Sequence, residues 1–463
     1  MVDTINIGMK YSKQWKVSSL LSASIVGGCL VITVPAFAKI IDAPAQTIDA
    51  PAKPVYAKTD AEQMNVMQQK LEAIQNELSQ MTSGMATRSG SDDGLPLHGF
   101  MDVGFASNSQ GNAAVNPNLA NPKGFYEGRL SFYMAPHFGD NVKVLAEPNI
   151  EVSQKDGTVN LDVERLQIGY TFSDAATAWI GRFHSPYGYW NTAFHHGAQL
   201  QTAVLRPRFL DFEDSGGVLP AHMLGVWSTG KVKAGGGRFT YDVYAGNGPK
   251  IVDANASVPA VIVNPLTDYQ GGGLDPNISG EDNHSAMVGL NLGYEFSDSL
   301  DGLRLSVHGL QGDVNAYGTS SPTPTTQNTT SLNTTSLSFV GGSAVYLSND
   351  WEIMGEYYRF NDKDKSGTTG THKSWADYLQ VGRSFNDLTP YVRFERTVFN
   401  QLDNYFSMQA SGQSYARQAL GLRYNLNQKA ALKFELLNSS FKEELGRTAL
   451  GYRSFLFQYA IGF

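Results

Sequence analysis

The chain ends on 453-RSFLFQYAIGF-463, and the reading of this stretch decides the fold. Phe455, Phe457, Tyr459, Ile461 and Phe463 are alternate residues, all large and apolar, so a β-strand puts all of them on one face. On the edge of a water-soluble sheet such a stripe would template aggregation. Against lipid it is what the surroundings demand, because a strand that crosses a bilayer needs apolar residues on its outer face only. The stripe predicts an all-β protein, a transmembrane antiparallel β-barrel.

The same alternation runs upstream and separates wall from lining. In 303-LRLSVHG-309, Leu303, Leu305 and Val307 face lipid while Arg304, Ser306 and His308 face inward. In 419-ALGLRYNL-426, Leu420, Leu422, Tyr424 and Leu426 face out and Arg423 in, with Arg417 in the same phase. 391-YVRFER-396 turns Val392 and Phe394 out, Arg393 and Glu395 in. 431-ALKFEL-436 turns Leu432, Phe434 and Leu436 out, Lys433 and Glu435 in. Arg129, Lys143 and Arg165 face inward by the same test. Charges on the enclosed face imply water inside.

Connections alternate between brief and long. The brief ones are 136–141, 173–176, 297–302, 348–350, 386–388 and 427–429, rich in Asp, Asn and Ser; the long ones include 106–124, 184–221, 248–283, 314–334 and 399–414. Tight periplasmic turns and longer external loops give barrels this asymmetry. Roughly 370 residues from Leu97 to Phe463, at about 23 per strand and connection, give about 16 strands. An even number places both barrel ends on the periplasmic side.

The N-terminus reads as an export signal over 1–38. Lys10, Lys13 and Lys16 precede an uncharged run from Val17 to Val34, and Ala36-Phe37-Ala38 supplies a small-x-small cleavage site. Cys29 is the only cysteine and lies inside that run, so a chain beginning at residue 39 has no disulfide or thiolate. Losing Asp3 and the three lysines moves the formal net charge from −8 to −10, which gives no reason to expect nucleic acid. Residues 39–58, with IDAPA twice, read as an extended linker. Over 59–83 a capping pattern, Thr59 with Glu62, opens a seam of Met64, Met67, Leu71, Ile74, Leu78 and Met81 at steps of three and four. So short an α-helix is marginal alone, and the seam predicts self-association as a periplasmic coiled coil. Residues 84–96 are a second linker.

The densest cluster of polar chemistry is 194-FHHGAQLQTAVLRPRFLDFEDSGG-217. Its layout, together with 180-IGRFHSPYG-188 and the N-terminal helix, resembles the phosphate-selective porin O/P-type family and its dicarboxylate-channel relatives. The aromatic C-terminus ending on Phe463 is similar to the signature by which the barrel-assembly machinery recognises outer-membrane proteins. The resemblance implies an outer-membrane porin, a homotrimer in outer-membrane lipid, whose third loop, 184–221, folds into the barrel and narrows it. It also implies a water-filled channel for small hydrophilic solutes, with anions or carboxylates favoured. The expected solute contacts are Arg206, Arg208, Asp211, Glu213 and Asp214 on the loop against Arg304, Arg393, Arg417, Arg423 and Lys433 on the wall. Opposed charges across a narrow gap order water and let charged solutes exchange hydration for wall contacts. The same charges could equally form a network that pins the loop.

Other chemistries fit less well. His195 and His196 are adjacent, a poor spacing for chelating one ion, and His184 and His222 could join them only if the loop folds back. No G-x-S-x-G occurs to suggest a serine hydrolase. The expectation is therefore no enzyme activity, no metal and no cofactor. The alternative from another class is a structural or adhesive barrel with a plugged lumen.

Overall fold

The computed structural model describes residues 97–109, 123–152, 159–194, 197–252, 273–276, 286–297, 300–319, 329–365, 369–409, 411–444 and 447–463. The signal, linker and coiled-coil readings over 1–96, and His195-His196, lie outside these residues. Sixteen long strands follow one another in chain order around a closed antiparallel sheet. They begin with β1 (Leu97–Asn108), β2 (Lys123–Met134), β3 (Val142–Val152) and β4 (Val159–Ser173). Then come β5 (Ala176–His184), β6 (His222–Ala234), β7 (Gly237–Asn247) and β8 (Ala286–Phe296). β9 (Leu303–Thr319), β10 (Thr329–Ser348), β11 (Trp351–Lys363) and β12 (Thr371–Arg383) continue the circuit. β13 (Leu388–Val398), β14 (Tyr415–Asn427), β15 (Ala430–Phe441) and β16 (Leu450–Gly462) complete it.

Closure is made by the stretch that predicted it. β16 pairs with β1, Gly462 opposite Phe100 and Ser454 opposite Asn108. Gly99 and Phe463 exchange backbone hydrogen bonds at 3.0 and 2.9 Å, so the last residue seals the seam. A closed sheet has no edge, which leaves every strand with two partners. At the end bearing Leu97 and Phe463 the connections are tight. Between β10 and β11, Asn349 and Asp350 have φ of 51° and 63°, the left-handed pair that matches a hairpin turn to sheet twist.

Burial is inverted relative to a soluble sheet. Outward Phe394, Leu420 and Leu436 are 55%, 57% and 53% exposed, while the intervening Arg393, Lys433 and Glu435 are fully buried. Such an apolar exterior is stable only against lipid. No helix among the described residues is long and apolar enough to cross a membrane; the crossing elements are strands.

The inward wall of β9–β13 also holds an apolar cluster that the alternation did not single out. Phe339, Tyr358 and Phe360 pack with Tyr187, Phe209 and Leu219 of the loop 185–221. A second loop closes over them: α2 (Asn404–Ser407) brings in Tyr405 and Phe406, with Phe406 stacked on Phe399 at 4.0 Å. The Tyr405 hydroxyl donates to Val218 O at 2.8 Å, tying the two loops together. The loop 185–221 carries its own short helix, α1 (Trp190–Ala193).

Candidate functional site

The path of 185–221 is fixed by hydrogen bonds from inward-facing wall residues to its backbone. On the cationic side, Arg393 donates to Leu205 O at 2.8 Å. Arg423 donates to Gln199 O and Gln201 O at 2.7 and 2.8 Å. The Lys433 ammonium donates to Ala198 O and, at 3.1 Å, to Ala203 O. On the anionic side, Glu356 accepts from Trp190 N at 2.8 Å and Glu395 from Arg208 N at 2.9 Å. Glu435 accepts from Val204 N at 3.2 Å, and Glu352 from the Thr202 hydroxyl at 2.6 Å. Ionised groups make the stronger class of hydrogen bond, and here they satisfy loop backbone groups and the Thr202 hydroxyl, which would otherwise be buried without partners. The Gln199 amide reaches Gln428 O, 2.9 Å away in the turn between β14 and β15, so the loop runs down to the end bearing Leu97 and Phe463.

Arg393 is the hub. It lies between two buried carboxylates, 2.8 Å from Glu395 and 3.7 Å from Glu435, and also donates to Gln380 at 3.2 Å. Glu395 further accepts from Tyr415 at 3.1 Å, and Glu435 from Tyr391. Tyr391 fits across the barrel wall over Gly421, where a Cβ would meet its ring at 2.1 Å.

The remaining expected contacts lie in separate places. Arg206 is turned into the loop itself: it donates to Leu210 O, Phe194 O and Asn191 Oδ1 at 2.9, 3.2 and 3.1 Å and lies 4.1 Å from the Phe212 ring centroid. Burial lowers its guanidinium from the ordinary value, and the Asp211 carboxylate opposes that shift. Arg208 lies over Phe441, while Arg417 donates to Ser439 and the Tyr452 hydroxyl, both at 3.0 Å. Glu213 meets His222, accepting from its backbone N at 2.9 Å and lying 3.0 Å from Nδ1. The other ring nitrogen of His222 is 2.8 Å from Glu164, so one imidazole joins β4 to the acidic end of the loop. Asp211 accepts from Phe212 N at 3.0 Å, and Arg129 of β2 reaches Ser215 at 3.0 Å. The side chain of Asp214 lies outside the described atoms.

The loop acids thus meet Arg206 and His222, and Arg129 reaches Ser215 beside them. Arg393, Arg423 and Lys433 hold the opposite flank of the loop through carbonyl groups. His184 stacks edge-on against His222 at 4.7 Å. Among the described residues no group of three or more metal-ligating side chains is assembled.

Arg304 belongs to a cluster in the accessible lumen. Lys231, Arg238 and Arg304, from β6, β7 and β9, all pair with Glu295 of β8, the first two at 3.5 and 3.0 Å. Their side chains are 51%, 52% and 27% exposed, against none for Arg393. Three cations on one carboxylate leave an excess of positive charge facing water. Lys231, Arg238 and Glu295 were not singled out from sequence, although each sits in the inward phase near a strand end.

No family model matches the chain, and no curated protein matches it. Solved structures do match it over most of its length. An anion-selective porin from Comamonas acidovorans is 13% identical with a TM-score of 0.49, over 80% of this chain and 99% of that one. The outer membrane channel DcaP of Acinetobacter baumannii is 13% identical with a TM-score of 0.47, over 82% and 100%. The trimer form of OmpT, an outer membrane protein of Vibrio cholerae, is 10% identical with a TM-score of 0.44, over 80% and 99%.

Proposed function

We propose that this chain is an outer-membrane porin, a passive diffusion channel for small hydrophilic solutes in which anions and carboxylates are favoured. The observation that carries the preference is the group of Lys231, Arg238 and Arg304 on the single carboxylate of Glu295, in the part of the lumen left open to water. Exposed, mutually repelling cations attract an anion while holding it weakly, as conduction requires. Arg393, Arg423 and Lys433 act one step back: they hold the loop 184–221 as a fixed constriction. Export through removal of 1–38, insertion guided by Phe463 and a homotrimer joined by the 59–83 helix complete the reading.

Planar-bilayer recordings test it. In a salt gradient the reversal potential should report anion preference, and K231Q/R238Q/R304Q should reduce the anion-to-cation permeability ratio by about threefold or more. An unchanged ratio would remove these residues from the selectivity. The second reading, a structural barrel with a plugged lumen, draws on the aromatic cluster that fills the β9–β13 side. Absence of conductance steps would favour it.

A further inference from the structure

The channel reading leaves unused a charged patch on the outer surface of the barrel. At the end away from Leu97 and Phe463, β11, β12 and β13 turn Arg359, Lys363, Lys373 and Arg396 outward, all exposed. Register brings them together. Lys373 is opposite Asn361 and therefore diagonal to both Arg359 and Lys363. Trp375 is opposite Arg359 on one side and Val398 on the other. The Arg396 guanidinium lies 4.3 Å from the Trp375 ring centroid, and Tyr357 stacks beside that ring at 6.5 Å. Asp377, 4.0 Å from Arg396, is the carboxylate on this outward patch among the described residues. Towards the middle of the barrel the same face becomes apolar, with Leu379 and Phe394 47% and 55% exposed. The same end of β4 shows none of this: its outward residues are Leu161 and Val163.

Four cations against one carboxylate repel one another, and at a membrane interface water screens them less than in bulk. The patch needs anions from outside the chain, at the height where an aromatic belt marks the lipid headgroups. Arginine forks bind phosphate oxygens in pairs, and the Trp375 ring under the Arg396 guanidinium fixes the position of one of them.

We propose that Arg359, Lys363, Lys373 and Arg396, arranged around Trp375, form a binding site for a phosphorylated, multiply acylated glycolipid of the outer leaflet. The phosphates sit on the cations, and the acyl chains run down over Leu379 and Phe394. The proposal rests on the outer-membrane reading given above.

The test uses the full chain refolded in detergent, with hexa-acylated bisphosphoryl lipid A as probe and its dephosphorylated form as control, bound lipid being counted by native mass spectrometry. Wild type should bind the bisphosphoryl form about tenfold or more tightly than the dephosphorylated form. R359Q/K363Q/K373Q/R396Q should lose that discrimination. Equal binding of the two lipids by wild type overturns the site, and that comparison needs no variant to fold. Discrimination that survives in a folded quadruple variant overturns the residue assignment. Conductance of the same preparations is scored separately: steps without lipid discrimination sink the lipid site alone, and discrimination without steps sinks the channel alone.

Discussion

Replacing Arg393 with methionine should release the loop from the wall. The side chain is fully buried between Glu395 and Glu435, and both carboxylates are also buried. Methionine fills much of the volume but leaves two carboxylates without their cation. Removing one partner from a buried ionic group costs about 3–5 kcal/mol, chiefly through the uncompensated charge that remains. That shifts the equilibrium between docked and released loop by roughly two to nearly four orders of magnitude. Leu205 O loses its donor at the same time. Glu395 and Glu435 hold the amides of Arg208 and Val204, so the disturbance passes directly to 204–208. The assay is paired: the urea midpoint of the folded barrel by heat-modifiable gel migration, and single-channel conductance with its noise. The midpoint should fall while conductance rises and becomes noisy. R393M/E395Q/E435Q removes the stranded charges yet keeps oxygens for both amides, and should recover most of the midpoint. An unchanged midpoint in R393M, or a triple variant as unstable as the single one, would refute the charge argument.

His222 ties Glu164 to Glu213, so H222Q should cost about 1–3 kcal/mol locally and admit a glutamyl protease after Glu213 in the folded barrel; an uncut loop would show that this bridge does not hold it. Burial pushes the Asp403 carboxyl up to about 7 from its ordinary 3.8, against hydrogen bonds from Tyr405 N and the Asp362 and Ser374 side chains. The folded loop therefore keeps a proton that the unfolded chain releases, and its stability should be full below about pH 4 and decline as pH rises to about 7. D403N should flatten that decline, read as pH-dependent amide exchange at Tyr405; an unaltered slope would locate the proton elsewhere. Deleting 59–83 should leave single-channel conductance unchanged and lower the mass read by light scattering, whereas an unaltered mass would end the proposed coiled-coil role.

By itself the sequence determined what a period of two can encode. The stripe from Phe455 to Phe463 announced lipid on one face, and the phases of Arg393, Arg423 and Lys433 put these cations inside. Turn chemistry such as Asn349-Asp350 punctuated the strands. Alternation states which face a residue takes; it does not state what waits across the lumen. Lys433 meets Ala198 across 235 residues of chain, and Trp190 meets Glu356 across 166. Loop 185–221 has no period of its own, and most of its wall anchors are backbone carbonyls and amides, which carry no side-chain signature. Only closure of the barrel could decide that Arg393, Arg423 and Lys433 grip the loop while Lys231, Arg238 and Arg304 stay open to water, because curvature selects which inward charges the loop covers.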